Sequence, residues 1–319
     1  MALSTEMILT LQQLDGVGNK TIFKIADQAS TPITTMESLC KFWKSLKGKK
    51  LQSITADDLE DAHRVALRII SKSKSENVGI MSFYESIFPE VLKSCVNEEG
   101  KLDPPILLYY RGNLDVLKKP GIAVIGTREP TRNGILAGKH FSGEFAKRGY
   151  NIVSGLAIGC DTTGHQGALA VGGATTAFLA NGLDWDSIYP KENLDLAKEI
   201  VVKEGLLLSE YPVGQSCGRY GLVARDRLQA GLSYATVIVQ TGVKGGTMHA
   251  VNATIQSKKP LFAVEYKTDE DTSNEKVQGN IKLVKEQKAY ALRSTGIDDA
   301  CSIIEKAHKL SLIHISEPT

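Results

Sequence analysis

The 319-residue sequence predicts an α/β protein built on a doubly wound, mostly parallel sheet, with a small all-helical region at its N-terminus. Between residues 80 and 265, short β-branched and apolar runs alternate with helical stretches. Several runs lack polar alternation, as expected for strands that are covered on both faces. Residues 1–75 instead show short helical patterns without a strand signal. Strands that alternate with helices indicate a parallel sheet with right-handed crossovers.

The predicted strands all lie in the middle region. They are residues 121–126 (GIAVIG), 150–154 (YNIVS), 174–179 (ATTAFL), 206–209 (LLLS), 235–240 (ATVIVQ) and 260–264 (PLFAV). The clearest helix between them covers residues 134–149, where Leu136, Phe141 and Phe145 share one side. Ligands of such a sheet bind at the carboxyl ends of the strands, in the loops that lead into the helices.

Four segments are expected along the chain. They are a helical domain at 1–75, the sheet domain at 80–265, a C-terminal helical segment at 266–309 and a tail at 310–319. The tail reads LSLIHISEPT, which looks like the in-frame translation of a sequencing adapter. We expect it to be non-native and exclude it from the fold; a genuine disordered tail is the alternative.

Composition excludes several classes of protein. The five cysteines are scattered without a C-x-x-C pair, which favours a reducing cytosol over a disulfide framework or a zinc site. The sequence lacks a signal-peptide pattern and any apolar run of ~18 residues, the length of a membrane span. We therefore expect a cytoplasmic protein without a membrane contact, a metal or a cofactor. The formal net charge of +2 does not indicate a partner, because a sum hides any clustering of charge.

Glycine, small hydroxyl residues and cations recur in the loops after the predicted strands. These loops read GTREPTRNG (126–134), SGLAIGCDTTGH (154–165), ANGLDWDSIYPKEN (180–193) and TGVKGGTMHA (241–250). Glycine lets a ligand approach the backbone, and helix N-termini offer unpaired N–H groups to anions. The loops therefore predict a phosphate site at one edge of the sheet.

The candidate phosphate-binding residues come from these loops and from the segment RDRLQAGLS. They are Gly126, Thr127, Arg128, Ser154, Gly155, Lys191, Arg225, Arg227, Gly245, Gly246 and Thr247. Arg128 could bind a phosphate bidentately, or could pair with a neighbour such as Glu129. Lys191 is either a phosphate ligand or a solvated lysine at a helix start. Residues 245–247 form a phosphate nest or a tight turn with Thr247 as the N-cap.

Arg225 and Arg227 have alternative interpretations. In an extended segment their side chains share a side and could straddle consecutive phosphates. On a helix they would diverge. One of them could instead pair internally with Asp226 or Glu210. We expect at least one of the two to contact DNA.

The stretch SGLAIGCDTTGHQGA carries residue types of a nucleophilic site. Asp161 and His165 are four residues apart at a helix start, so they share a face. Asp161 is better explained as an N-cap or first-turn acid, and His165 as a local hydrogen-bonding residue. Cys160 lacks an oxyanion hole and a separate oriented base. We therefore predict no catalytic residue and no enzymatic activity.

At these motifs the chain resembles the DprA/Smf family of DNA-processing proteins. The matching pieces are GTR at 126–128, SGLAIGCDTTGHQGAL at 154–169, GLDWDSIYPKEN at 182–193, LLSEYP at 207–212, RDRLQAGLS at 225–233 and GGTMHA at 245–250. The resemblance implies an extended Rossmann-like domain that binds and protects single-stranded DNA without reading its sequence. It also implies a homodimer that helps to load a RecA-type recombinase in natural transformation.

The chain departs from the family at several positions, including the absence of the Val-Pro-Gly that often follows the last strand. Cys160 stands where the family usually has an aliphatic residue, and Leu222 replaces a phenylalanine. The second change weakens the expectation of a base-stacking aromatic there. Asp226 places a negative charge near the proposed phosphate track. These departures bear on DNA affinity more than on the fold.

The N-terminal stretch LQQLDGVGNKTIFKIAD (11–27) resembles a helix-hairpin-helix element of a SAM-like domain. Such hairpins hold the DNA backbone through amides and a nearby lysine, which makes Gly16, Gly18 and Lys20 candidate DNA contacts. The alternative is an αα-hairpin that only packs.

Two other functions stay open. One is a sensor of a nucleotide-derived ligand, acting for example in phage defence. The other is a nucleotide phosphoribohydrolase, whose related loop ends in a glutamate that GGTMHA (245–250) lacks.

Overall fold

The structure is a computed structural model that describes residues 3–46, 53–216, 218 and 221–316. Its centre is a sheet with the strand order β1-β2-β6-β5-β4-β3-β7-β8-β9. The strands are β1 (Gly79–Ser82), β2 (Leu107–Gly112), β3 (Gly121–Ile125), β4 (Asn151–Ser154), β5 (Thr175–Leu179), β6 (Leu206–Ser209), β7 (Ser233–Ile238), β8 (Leu261–Val264) and β9 (Tyr290–Leu292). Pairing is parallel from β6 to β9 along this order, and antiparallel between β1, β2 and β6. The predicted mostly parallel α/β fold is confirmed.

The helices precede, separate and follow the strands. They are α1 (Thr5–Gln12), α2 (Asn19–Asp27), α3 (Met36–Trp43), α4 (Ala56–Ser75), α5 (Glu90–Lys93), α6 (Arg132–Lys147), α7 (Cys160–Ala170), α8 (Leu194–Val202), α9 (Gly221–Leu232), α10 (Thr247–Gln256), α11 (Asp269–Ser273), α12 (Gln278–Lys285) and α13 (Ile297–Ser316). Short 3-10 turns cover Leu114–Lys118 and Lys191–Asn193. None of the helices in the described part of the chain is long and apolar enough to cross a membrane.

Strand β3 marks the point at which the chain reverses its direction across the sheet. β4 pairs with one side of β3, with Ile122 opposite Ile152, and β7 pairs with the other, with Ile122 opposite Ala235. The loops after β3 and β7 therefore diverge above neighbouring strand ends. Such a switch point leaves a crevice outside the carboxyl ends of the strands, where ligands of doubly wound sheets bind.

Both faces of β3 are buried, as its unbroken apolar sequence predicts. Val124 packs in one cluster with Phe145 of α6 and Ile304 of α13, while Ala123 packs in another with Val251 of α10. Removing this apolar surface from water is the main term that holds helices to both sides of the sheet.

The N-terminal helices pack on the sheet domain. Met7 and Leu11 of α1 are fully buried and belong to one hydrophobic cluster with Leu207 of β6. A turn joins α1 to α2, and its Gly16 has a φ of 74°, a region that favours glycine. The first helix thus ends at Gln12 and the second covers Asn19–Asp27, while the helix-hairpin-helix element at 11–27 and its DNA contact stay predictions.

The C-terminal segment differs from the prediction. Residues 266–309 contain helices, but they also supply β9, in which Tyr290 pairs with Phe262 of β8. A three-residue strand is too short to show a strand periodicity, so the purely helical expectation was wrong. Helix α13 runs into the tail to Ser316, and residues 317–319 lie outside the described residues. The non-native origin of the tail stays a prediction.

Candidate nucleic-acid interface

A cavity of about 450 Å³ opens at the switch point, between the loops after β3 and β7 and the first turns of α9. Seven of the candidate phosphate ligands line it: Gly126, Thr127, Arg128, Arg225, Gly245, Gly246 and Thr247. Ser154, Gly155, Lys191 and Arg227 do not. The fold therefore brings most of the predicted site together at one place.

Arg128 is exposed at the mouth of this cavity and makes no hydrogen bond or ion pair with any described residue. The alternative partner, Glu129, lies 3.4 Å from Lys276 instead. Lys244 also lines the cavity, is exposed and lacks a partner in the described part of the chain. Lys244 directly precedes the paired glycines but was not among the predicted phosphate ligands. Two cations are thus available to an anion in the cavity.

Residues 245–247 form the open wall of the cavity. Helix α10 begins at Thr247 and its N-cap is Gly246, so the alternative in which Thr247 is the N-cap was wrong. A Cβ built on Gly245 or Gly246 would meet nothing within 4 Å. The backbone N–H groups of Gly245, Gly246 and Thr247 donate to no other described residue. Such N–H groups at the start of a helix are suited to bind an anion.

The loop that carries Arg128 is held from below by Gln240. The Gln240 carbonyl accepts a hydrogen bond from the Thr127 N–H (2.8 Å), and its Oε1 accepts from the Thr131 N–H (2.9 Å). Gly159 closes the other side of the loop. Its φ is 90°, and a Cβ there would lie 2.5 Å from the Arg128 carbonyl. The backbone of Arg128 is thus fixed while its side chain is free.

Asn280 of α12 fixes the second loop. Its Oδ1 accepts from the Thr241 N–H (2.9 Å), and its Nδ2 donates to the carbonyls of Val239 (2.9 Å) and Val264 (3.1 Å). Neither Gln240 nor Asn280 was found from the sequence, because no local pattern marks a polar side chain that bridges distant segments.

Ser154 and Gly155 were predicted to contact phosphate, but the structure uses their polar groups internally. The Ser154 hydroxyl donates to the Val124 carbonyl at 2.6 Å, between two buried strands. The Gly155 N–H donates to Asp161 Oδ2 at 3.1 Å, and its carbonyl accepts from Arg225 Nη1. Asp161 is the second residue of α7, so its role as a first-turn acid is confirmed.

Arg225 lies on a helix and pairs internally, so the alternative of an extended segment was wrong and that of internal pairing with Asp226 is confirmed. Its Nε donates to Asp226 at 2.9 Å, its Nη1 donates to the Phe178 carbonyl at 3.0 Å, and its Nη2 lies 4.0 Å from Asp161. The side chain is 6% exposed. Arg225 therefore neutralises two carboxylates in the floor of the cavity.

Burial changes the acidity of those carboxylates. It raises the pKa of Asp226 to about 6, against the lowering effect of Arg225. It also raises the pKa of Asp161, with Arg225 and the Gly155 and Ala157 N–H groups opposing. Asp226 therefore keeps its negative charge near neutral pH and loses it only as the pH falls through about 6.

Arg227 lies on the same helix and points away from the cavity. It forms a bidentate pair with Glu210, both contacts at 2.8 Å, and a contact of 2.7 Å with Asp103. Its side chain is 9% exposed. The alternative in which an arginine pairs with Glu210 is confirmed, and Arg227 is not placed at the candidate site.

Lys191 is exposed, but its Nζ donates to the Asp186 carbonyl in the third loop. It lies in the 3-10 turn before α8, outside the lining of the cavity. Lys191 is therefore at most a peripheral cation of the site.

Burial suppresses the reactivity of the residues that suggested catalysis. It raises the pKa of Cys160 to about 12 and lowers that of His165 to about 3, so both are neutral near pH 7. His165 Nδ1 lies 2.7 Å from Thr175 Oγ1, whose proton goes to the Ile152 carbonyl at 2.7 Å. His165 Nδ1–H therefore donates to Thr175 Oγ1, and the prediction of His165 as a hydrogen-bonding residue is confirmed. Among the described residues, no three His, Cys, Asp or Glu side chains are placed to hold a metal.

The fold and the site define a Rossmann-like α/β protein with a cavity at the switch point of its sheet that is lined by unpaired hydrogen-bond donors. Residues 79–305 match the DNA recombination-mediator protein A family, and the chain belongs to that family. This match confirms the resemblance found in the motifs.

Two relatives place the chain more closely. It is 39% identical over 170 residues to Protein Smf of Synechocystis, covering 52% of this chain and 42% of that protein. It is 30% identical over 241 residues to the DNA processing protein DprA of Bacillus subtilis, covering 71% and 78% of the two chains. The match thus spans less than half of the first relative and most of the second.

Two solved structures are similar. DprA from Streptococcus pneumoniae superimposes with a TM-score of 0.73 at 24% identity, covering 94% of this chain and 98% of that chain. DNA processing protein A from Helicobacter pylori superimposes with a TM-score of 0.59 at 28% identity, covering 70% and 96%. The structure of the Helicobacter protein concerns its mode of binding single-stranded DNA.

Proposed function

We propose that this chain binds single-stranded DNA without reading its sequence. The observation that carries the proposal is the group of unpaired donors around the cavity: Arg128, Lys244 and the N–H groups of residues 245–247. Guanidinium, ammonium and amide donors recognise phosphate, which every nucleotide shares. The single-stranded DNA binding of the Helicobacter relative supports the same ligand for this chain.

The chain would act by holding and protecting DNA rather than by cleaving it. The neutral states of Cys160 and His165 support this, because neither is activated for attack. Membership in a recombination-mediator family supports a role in presenting the strand to a RecA-type recombinase, as a cytoplasmic homodimer in natural transformation. That role can be tested by measuring recombinase ATP hydrolysis on strands that are already covered by a single-strand binding protein. The chain should increase the hydrolysis by helping the recombinase to load. Light scattering tests the dimer.

The salt dependence of binding tests the proposed ligand. Each phosphate neutralised on a single strand contributes a slope of about −0.7 to log K against log[salt]. Neutralisation by Arg128, Lys244 and Lys191 therefore predicts a slope of roughly −2. Anisotropy of labelled oligo(dT) and of a mixed-sequence oligonucleotide should give the same slope. A slope near zero would refute the proposal.

Single substitutions identify the cations. Arg128→Ala and Lys244→Ala should each weaken all sequences alike and reduce the slope by about 0.7. Arg68→Ala is the matched control, since Arg68 of α4 is exposed and without a described partner but lies outside the cavity. If Arg128→Ala and Arg68→Ala have equal salt slopes, Arg128 does not neutralise a phosphate of the bound strand.

A second candidate is a sensor of a nucleotide-derived ligand. The volume of about 450 Å³ favours it, because it falls in the range of small-molecule pockets. A nucleotide that raises the melting temperature, while oligonucleotides neither raise it nor compete, would favour this function over the first.

A further inference from the structure

Tyr189 presents an exposed aromatic ring from an anchored backbone. Its side chain is 47% exposed, while the preceding Ile188 is fully buried and the following Pro190 is also buried. The ring makes no hydrogen bond or aromatic contact with any described residue. The buried neighbours thus fix the backbone of Tyr189 while about half of the residue stays open to solvent.

This ring lies beside the candidate phosphate site. Tyr189 lines a small crevice together with Arg128, Ile158 and Leu222. The crevice adjoins the main cavity, since Arg128 and Leu222 line both. Ile158 is 44% exposed, so the wall around the ring is apolar and open to solvent. An apolar wall next to a free guanidinium fits a nucleotide, whose base is flat and apolar on its faces and whose phosphate is charged.

We propose that Tyr189 is the platform on which a base of bound single-stranded DNA stacks while Arg128 holds an adjacent phosphate. The inference rests on the proposed single-stranded DNA function. Leu222 of α9 lines the same crevice as Tyr189, so the loop before α8 supplies the aromatic surface and α9 supplies an aliphatic one.

Substitution of the ring tests the stacking. A stacked base contributes about 1–3 kcal/mol, so Tyr189→Ala should weaken oligo(dT) binding by about tenfold and leave the salt slope unchanged. Tyr189→Phe, which keeps the ring, should bind within about twofold of the wild type. Tyr290→Ala is the control, because Tyr290 on the edge strand β9 is similarly exposed, at 53%, but lines neither the cavity nor the crevice. Melting temperatures should show that all variants are folded.

An abasic oligonucleotide distinguishes a loss of base stacking from a loss of contacts to the DNA backbone. It keeps the phosphates but lacks the bases, so the wild type should bind it about tenfold more weakly than oligo(dT). Tyr189→Ala should bind both with similar affinity. A folded Tyr189→Ala that matches the wild type on oligo(dT), with the salt slope intact, would overturn the stacking proposal alone. A wild type that has no salt-dependent affinity would overturn the proposed function instead.

Discussion

Arg225 occupies the space that a side chain on Gly155 would need: a Cβ there would lie 1.5 Å from Nη1. The glycine lets the guanidinium reach the Gly155 carbonyl while Asp161 holds the Gly155 N–H. The segment SGLAIGCDTTGH (154–165) thus shapes a buried ion network in the floor of the cavity.

Gly155→Ala should displace Arg225 and leave Asp161 and Asp226 without their cation. Breaking a buried pair is strongly destabilising, so we expect a loss of about 3 kcal/mol or more in the free energy of unfolding. Urea denaturation measures it. Gly246→Ala serves as the control, since a Cβ there meets no atom within 4 Å. Equal stability of the two variants would show that Arg225 can move at little cost.

Arg227→Met should lower stability and leave DNA binding unchanged. The substitution leaves Glu210 and Asp103 without their guanidinium, which we expect to cost about 3 kcal/mol. Because Arg227 does not line the cavity, the salt slope of the folded variant should equal that of the wild type. The contrary result, a shallower slope with normal stability, would restore Arg227 as a phosphate ligand.

The sequence predicted those parts of the fold that have a local signal. Strands β3 to β8 are apolar runs, and a strand buried on both faces must have such a run. Strand β9 spans only Tyr290–Leu292, and its identity depends on pairing with β8, which no local pattern records. The same limit explains why the C-terminal segment was predicted as purely helical.

The parts of the candidate site that follow a strand end could be predicted, because the glycines and cations there are visible in the local sequence. Arg128 lies two residues after Gly126, the loop glycine that follows β3, and Gly245 and Gly246 precede α10. Whether Arg225 pairs internally depends on whether it lies on a helix or in an extended segment. The sequence did not decide between these two structures. Gln240 was missed because its partner, Thr131, lies 109 residues away in the chain.

Asn280→Ala should destabilise the loop after β7. It removes the acceptor of the Thr241 N–H and the donor to the Val239 and Val264 carbonyls, all of them buried. Each buried group left unpaired costs about 1–3 kcal/mol, so the total loss should be at least about 3 kcal/mol. Hydrogen exchange should show faster exchange at Thr241 before global unfolding. Unchanged protection at Thr241 would argue that water replaces the amide.

Cys160→Ala should leave the affinity for single-stranded DNA within about twofold and cost about 1 kcal/mol of stability. Because burial raises the Cys160 pKa to about 12, the thiolate is scarce near neutral pH. Iodoacetamide followed by peptide mapping should therefore label Cys160 slowly in the native protein and quickly in urea. Rapid native labelling, or a large loss of binding in Cys160→Ala, would return Cys160 to the list of functional residues.

Binding should strengthen as the pH falls through about 6, because burial raises the pKa of Asp226 to about 6. Protonation removes a negative charge from a cavity that holds Arg128 and Lys244, which should favour a phosphate by about 1 kcal/mol, or about fivefold. The folded state binds this proton more tightly than the unfolded chain does. The associated stability is therefore full below about pH 4 and is lost as the pH rises through about 6.

Asp226→Asn tests whether Asp226 causes the pH dependence of binding, since the substitution removes its charge at every pH. The variant should bind oligo(dT) about fivefold more tightly than the wild type near pH 7.5 and change little towards about pH 5.5. The groups that act on Asp226 are Arg225, Asp161 and His249, of which His249 pairs with Glu98 at 2.6 Å. His249→Gln is therefore the control. If it abolishes the pH dependence and Asp226→Asn does not, the assignment of the pH dependence to Asp226 is wrong.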